Sequence, residues 1–171
     1  MKRLNFGCGD IIKPKSEGWI NVDIQDHKDV DKSFDFSEYP YPLEDNSFDY
    51  VLLDNVLEHL EYPHKVMKEL WRICKPNAII KIIVPYYNTY YAYADITHKN
   101  FFNELAFVHL LEGNTYDLNH KSYFEIVSLK KIPQRFFKII PMPILDVLKR
   151  FLSNIIVTLD VTTKAIKEGE Q

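Results

Sequence analysis

Two glycines one residue apart, Gly7 and Gly9 in "LNFGCGD", end a short apolar run in a chain that has only five glycines. Glycine is the default where the backbone needs a positive φ, and its missing side chain also lets a ligand approach the backbone closely. Gly7-Cys8-Gly9 therefore reads either as a tight loop or as a cofactor turn. Asp23 sharpens the choice, because it closes the alternating stretch "GWINVDI" at a strand end. A carboxylate there can accept hydrogen bonds from both hydroxyls of a ribose, each worth about 1.5–3 kcal/mol. A solvated strand-end aspartate is the alternative, and the glycine turn upstream at the same edge favours the ribose. The dinucleotide fingerprint Gly-x-Gly-x-x-Gly fails, since Ile12 holds the third glycine position and the stretch to Asp23 is too short for a full crossover helix. No Gly-Lys-Ser or Gly-Lys-Thr phosphate loop is present either.

The elements that must position these residues follow from periodicity. Arg3–Phe6 and Gly18–Ile24 read as strands, the second with Ile20, Val22 and Ile24 alternating against polar neighbours. Ser47–Asp54 is a third. Pro63, favoured at a first helical position, opens a helix whose buried face is Val66, Met67, Leu70, Ile73 and Cys74. Its expected end is Lys75-Pro76-Asn77, with Asn77 in the left-handed cap. Ala78–Pro85, "AIIKIIVP", follows as a strand apolar on both faces, which suits a parallel sheet covered by helices. Strand, helix, strand in this order is a βαβ unit, so the first half reads as a doubly wound α/β sheet. Beyond it, "NFFNELAFVHLLEG" reads as a helix with Phe102, Leu105, Ala106, His109 and Leu110 on one face and Gly113 as its stop. His109 on that face reads as a core histidine. "SYFEIVSLKKI" reads as a strand, "PILDVLKRFL" as an amphipathic helix, and "NIIVTLDVTTKAI" as an alternating antiparallel edge strand.

Composition narrows the function classes. At 171 residues, with no repeat or linker, residues 1–171 read as one domain. A net charge of −3 argues against a nucleic-acid partner. Cys8 and Cys74 make neither a disulfide framework nor a metal pair, and fit a reducing, cytoplasmic setting. No apolar run is long enough for a signal peptide or a membrane span, so no stable membrane insertion is expected. Tyr86–Tyr93 concentrates five tyrosines, as core, lid or acceptor pocket.

"LNFGCG", "GWINVDI", "PLEDNSFDYVLLDNVLEHL" and "LWRICKPNAIIKIIVP" together resemble, in order and spacing across Leu4–Pro85, the small class I S-adenosylmethionine-dependent methyltransferases. "DITHKNFF" resembles a stretch that some members carry beyond the fifth strand. The resemblance implies a doubly wound, mostly parallel, Rossmann-like sheet, with residues 1–85 as the cofactor half and 86–171 as the acceptor half. It implies S-adenosylmethionine as cofactor. Gly7, Cys8 and Gly9 would line its methionyl moiety, while Asp23, with Ile24 beside it, would hold the ribose. Asp35 and Phe36 would flank the adenine, the carboxylate near its amino group and the backbone and ring near its face. Asp54 and Asn55 would reach the amino-acid end or the sulfonium, with Leu57, Glu58 and His59 in a turn below them. Asn5, Ile11 and Asn77-Ala78 depart from the family's acidic, small and Gly-Gly positions, and the chain starts at its first strand without the family's preceding helix.

Methyl transfer is an in-line displacement, in which holding donor and acceptor at near-attack distance is worth up to roughly 7–11 kcal/mol. A hydroxyl or amine acceptor must also lose a proton. His98 is the candidate base, with Asp95 as the residue orienting its ring; the alternative is that Asp95, Thr97 and His98 cap the following helix. One Asp-x-x-His is no metal-ligand set, so no metal is expected. The expected function is methyl transfer to a small-molecule acceptor such as a sugar or glycan precursor. The rival is an inactive, cofactor-binding partner subunit. A homodimer is open, as is contact of Arg135–Leu152 with a membrane surface.

Overall fold

The computed structural model describes residues 1–112 and 123–167; Gly113, the expected helix stop, lies outside them. The strands are β1 (Arg3–Phe6), β2 (Trp19–Asp23), β3 (Lys32–Ser33), β4 (Phe48–Asp54), β5 (Cys74–Pro85), β6 (Phe124–Pro133) and β7 (Ile156–Ala165). Among the described residues they form one sheet in the order β3-β2-β1-β4-β5-β7-β6. The first five run parallel, and β7 is antiparallel to both β5 and β6. The chain moves outward from β1 to β2 and β3, then crosses back to β4 on the other side of β1. That reversal places a crevice at the carboxyl ends of β1 and β4, where open α/β sheets bind ligands.

Leu4, Phe6, Val22, Val51 and Leu53 are fully buried, and Asn5 and Asn21 are buried with them. Asn5 donates to Asn21 Oδ1 (3.0 Å) and to the Ile11 carbonyl (2.8 Å), while Asn21 exchanges hydrogen bonds with both backbone groups of Lys13. This network pins the connection after β1 as an irregular loop with one 3₁₀ turn at Lys15–Glu17. With no helix packed there, the missing third glycine has no structural cost.

Helix α1 (Pro63–Ile73) buries Val66, Met67, Leu70 and Ile73 on one stripe. It stops earlier than expected. Cys74 is already extended and pairs with Phe48, and the register then jumps to Tyr50↔Ile79, so Lys75-Pro76-Asn77 bulge from the sheet. Asn77 does take a left-handed φ of 63°. Helix α2 (Tyr90–Ala94) buries only Ala92. Helix α3 (Glu104–Leu111) buries Phe107 and Leu111 and leaves Leu105 exposed, which corrects the expected face. The segment is apolar almost all round, so periodicity had no contrast to read. Helix α4 (Met142–Leu148) seats Leu145 in the core.

The antiparallel strands close their end of the sheet with the last strand one place in: β7 lies between β5 and β6, and β6 is outermost. β7 buries Ile156, Leu159, Val161, Thr163 and Ala165 and is hydrogen-bonded on both sides, whereas β6 carries Glu125, Lys130 and Lys131 at the edge. Charges on an edge strand discourage pairing with other chains.

Candidate active site

The glycine turn is hooked onto β2. Gly7 N and Cys8 N both donate to the Val22 carbonyl, at 2.9 and 3.0 Å. Gly7 and Gly9 have φ of 72° and 46°, which glycine adopts without strain. Gly9 N then donates to Asp23 Oδ2 at 2.8 Å, and Gln25 N donates to Asp23 Oδ1 at 3.0 Å. The turn and the β2 carboxylate are thus one hydrogen-bonded unit. Each carboxylate oxygen keeps a second lone pair.

A cleft of about 660 Å³ opens over this unit, lined by Gly7, Gly9, Asp23, Ile24, Asp35, Phe36, Asn55 and His59 among others. Cys8 is not part of the wall. It is 4% exposed and turned into the core, where burial and then the Asp23 charge push its thiol up to about 11. Phe36 lines the cleft, but its ring is stacked on Phe6 with centroids 4.0 Å apart, inside a cluster with Phe34 and Tyr41. Of the expected backbone and ring, the ring is therefore spent on the core, and Phe36 offers the cleft chiefly its backbone. Asp35 is exposed and accepts from Ser37 N and Oγ, both at 2.7 Å, which holds its carboxyl below the usual range. Asn55, with a φ of 53°, anchors its backbone to the Ile83 carbonyl at 2.9 Å. Asp54 stands outside the wall and accepts from Asn55 Nδ2 at 2.9 Å. Gln25, Ser37, Tyr39, Tyr62 and Lys99 also line the cleft. Their positions in loops without period left no sequence signal.

A second cleft, about 530 Å³, shares Asn55 and His59 with the first and is completed by Pro85, Tyr91, Asp95, Ile96 and His98. The segment carrying Asp95 and His98 is clamped to the 3₁₀ turn Leu57–His59: Lys99 N and Asn100 N donate to the Glu58 carbonyl, and Asn100 Nδ2 donates to the Leu60 carbonyl. The His59 and His98 rings meet edge to face at 4.6 Å. His98 Nδ1 lies 2.8 Å from the Ala92 carbonyl, and His59 Nδ1 lies 2.9 Å from Thr97 Oγ1. A carbonyl only accepts, so His98 Nδ1 carries the proton. Thr97 Oγ1 spends its own proton on Asp95 Oδ1 (2.6 Å) and accepts from His59 Nδ1. As a neutral imidazole, each ring therefore leaves Nε2 unprotonated.

Asp95 does not orient His98 as expected, because its carboxylate is taken by Thr97 N and Thr97 Oγ1, and so acts on His59 through Thr97. Those bonds hold its carboxyl below the usual range. Nor does the segment cap α3, whose N-cap is Asn103, accepting from Ala106 N at 2.8 Å. Burial, then the neighbouring His98, lowers the pKa of His59. Glu58 is 1% exposed, neither carboxylate oxygen has a partner among the described residues, and burial pushes it up to about 7. One donor atom each from Glu58, His59 and His98 lie within 4.8 Å of one another.

Residues 16–82 match the family model described as a methyltransferase domain. A SAM-dependent methyltransferase of Archaeoglobus fulgidus has a similar structure, at a TM-score of 0.64 and 20% identity over 95% of this chain and 86% of that one. So does a chain of the Haloferax volcanii complex between the Trm112 methyltransferase activator and a candidate methyltransferase, at 0.63 and 13% over 97% and 83%. The [4+2]-cyclase SpnF is a third, at 0.62 and 13% over 96% and 74%. No curated protein matches the chain. Strand order and similar structures together show the fold of the class I, Rossmann-like methyltransferases. The Archaeoglobus fulgidus protein and one of Methanosarcina mazei with this fold are described as SAM-dependent.

Proposed function

We propose that residues 1–171 act as one S-adenosylmethionine-dependent methyltransferase domain, with the cofactor in the cleft over the glycine turn and a small-molecule acceptor, of the sugar or glycan-precursor kind, in the cleft beside it. The observation that carries this reading is the Gly9–Asp23 unit at the strand-order reversal. Among the described residues nothing lies within 4 Å of where a Gly9 Cβ would stand, and Asp23 is fixed with lone pairs to spare. That is room for a ligand tail next to an acceptor for ribose hydroxyls. Ile24 and Asp35 would border the nucleoside, and Asn55 and His59 its amino-acid end. The bound cofactor supplies an electrophilic methyl group; the chain supplies position and a proton acceptor. His98, whose neutral form leaves Nε2 unprotonated, is that acceptor, and Asp95 steadies His59 beside it. Two buried free cysteines accord with a reducing cytoplasm.

Calorimetric titration with S-adenosylhomocysteine tests the first half: one site is expected, with affinity lost tenfold or more in Asp23→Asn. No binding by the wild-type protein overturns the reading. Labelled cofactor offered with a set of hydroxylated acceptors tests the second half.

One observation favours the partner-subunit reading. Tyr91 and Ile96, 60% and 97% exposed, line the second cleft, and their neighbours Tyr90 and Tyr93 are 69% and 63% exposed, an apolar surface that another chain would cover. Binding of the cofactor with no transfer to any acceptor, except when a second protein is added, would select it.

A further inference from the structure

We propose that Glu58, His59 and His98 form a binding site for one divalent transition cation, at the junction of the two clefts. Three observations converge on it. Glu58 is a buried carboxylate, and both its oxygens lack partners among the described residues. An unpaired buried carboxylate costs several kcal/mol, so its charge must be met by a proton or a cation. Two imidazoles stand beside it, each with Nδ1 committed to an oxygen (Ala92 O for His98, Thr97 Oγ1 for His59) and Nε2 left with its lone pair. A ring fixed through one nitrogen and free at the other is the arrangement seen around metal-ligating histidines, and the Thr97–Asp95 hydrogen bond extends it by one carboxylate.

Distance fits as well. Three atoms mutually within 4.8 Å share a point about 2.8 Å from each, against metal–ligand distances of about 2.0–2.2 Å. Side-chain shifts of under about 1 Å would close the set, and His59 and His98, being only half-buried, have room for them. Asp54 and Asp95 add negative potential around Glu58. The composition of the set chooses the ion: two nitrogens and one carboxylate suit zinc, cobalt, iron or manganese, whereas magnesium and calcium prefer oxygen alone. Three protein ligands leave coordination positions open, as at catalytic sites.

The cation site deepens the methyltransferase reading and rests on it in one respect. The open positions would hold an oxygen of the acceptor, whose proton the cation would make easier to release to solvent; His98 is then a ligand in the cation-loaded protein and the proton acceptor in the cation-free one.

Chelator-treated full-length protein titrated with Co²⁺, Zn²⁺ and Mg²⁺ tests the proposal, with Co²⁺ followed by its visible d–d bands. One equivalent of Co²⁺ or Zn²⁺ is expected, with Mg²⁺ at least tenfold weaker. Glu58→Gln and His98→Ala should each weaken Co²⁺ binding tenfold or more, with S-adenosylhomocysteine binding retained. His98 is only half-buried, so His98→Ala reads out the site even if Glu58→Gln fails to fold. Absence of Co²⁺ and Zn²⁺ binding, equal binding by His98→Ala, or equal affinity for Mg²⁺ overturns the proposal. Cobalt binding without binding of the demethylated cofactor would uphold the cation site and sink the methyltransferase reading, so the two fail separately.

Discussion

At the scale of single residues, the two glycines of the turn do different work. A Cβ on Gly7 would stand 2.5 and 2.8 Å from the two γ-carbons of Val56, a stiff β-branched side chain, on a backbone at φ 72°. Gly7→Ala should cost about 1–3 kcal/mol for overpacking, and roughly 1–2 kcal/mol more for the left-handed conformation. Val56→Ala in the same chain should restore the first part alone. Gly9 has the left-handed φ without the clash. Gly9→Ala should therefore cost only about 1–2 kcal/mol of stability, while weakening S-adenosylhomocysteine tenfold or more because the methyl enters the cleft. Chemical denaturation of the three variants, paired with calorimetry, reads both numbers; equal stability losses at the two glycines would refute the division. The sequence marked Gly7 and Gly9 as a unit but not the split, which depends on Val56, a residue far away in the chain. Cys8 shows the same limit: the run of three read as one lining, and only the hooks to Val22 O turn the middle residue inward.

At the scale of elements, the parallel strands were legible because each has a short, strongly patterned stretch bounded by turn residues. β1 and α1 begin where their sequences place them, at Arg3 and Pro63. Legibility fell in the second half, where α3 is apolar on nearly every side and where the order β5-β7-β6 is set by long-range pairing. Two lysines and two carboxylates hold that half together: Glu104 on α3, Lys131 on β6, and Asp146 and Lys149 at α4 form one ion network, with Tyr86 Oη donating to Glu104 at 3.0 Å. Burial would raise the Glu104 and Asp146 carboxyls, but hydrogen bonds from Lys149 and Lys131 leave both below their ordinary values. Carboxyls lowered by folding stabilise the native state above their unfolded pKa, and that contribution disappears as pH falls through the folded values. Glu104→Gln should then cost about 1 kcal/mol near pH 7, since the groups are partly solvated. Its gap from wild type should close between about pH 5 and pH 2. Urea melts across that range measure it, and a constant gap would mean that the network contributes through packing alone.

Across the whole molecule, chemistry and scaffolding occupy opposite ends of one sheet. The clefts draw their walls from the carboxyl ends of β1, β2, β4 and β5 and from the clamp between the Leu57–His59 turn and residues 95–100. The β6–β7 end contributes none of the lining residues of either cleft. SpnF shares this architecture under the name of a cyclase, so the scaffold alone does not choose the reaction and the sites must. A ligand that binds only the folded state stabilises it by mass action, about 2.7 kcal/mol at a hundredfold excess over Kd. Local openings, however, are slowed only where the ligand bridges the segments that open. With S-adenosylhomocysteine bound, amide exchange should slow most at Gly9, Gln25 and Asn55, where the backbone meets the first cleft. Exchange through local opening in β6 and β7 should hardly change. The segment from Asp95 to Asn100 discriminates further: it touches the first cleft only through Lys99 and the second through Asp95, Ile96 and His98. It should gain its protection from Co²⁺ instead of from the nucleoside. Protection that spreads evenly over the sheet, or gathers at β6, would place the ligand elsewhere and detach the methyl-transfer reading from this cleft.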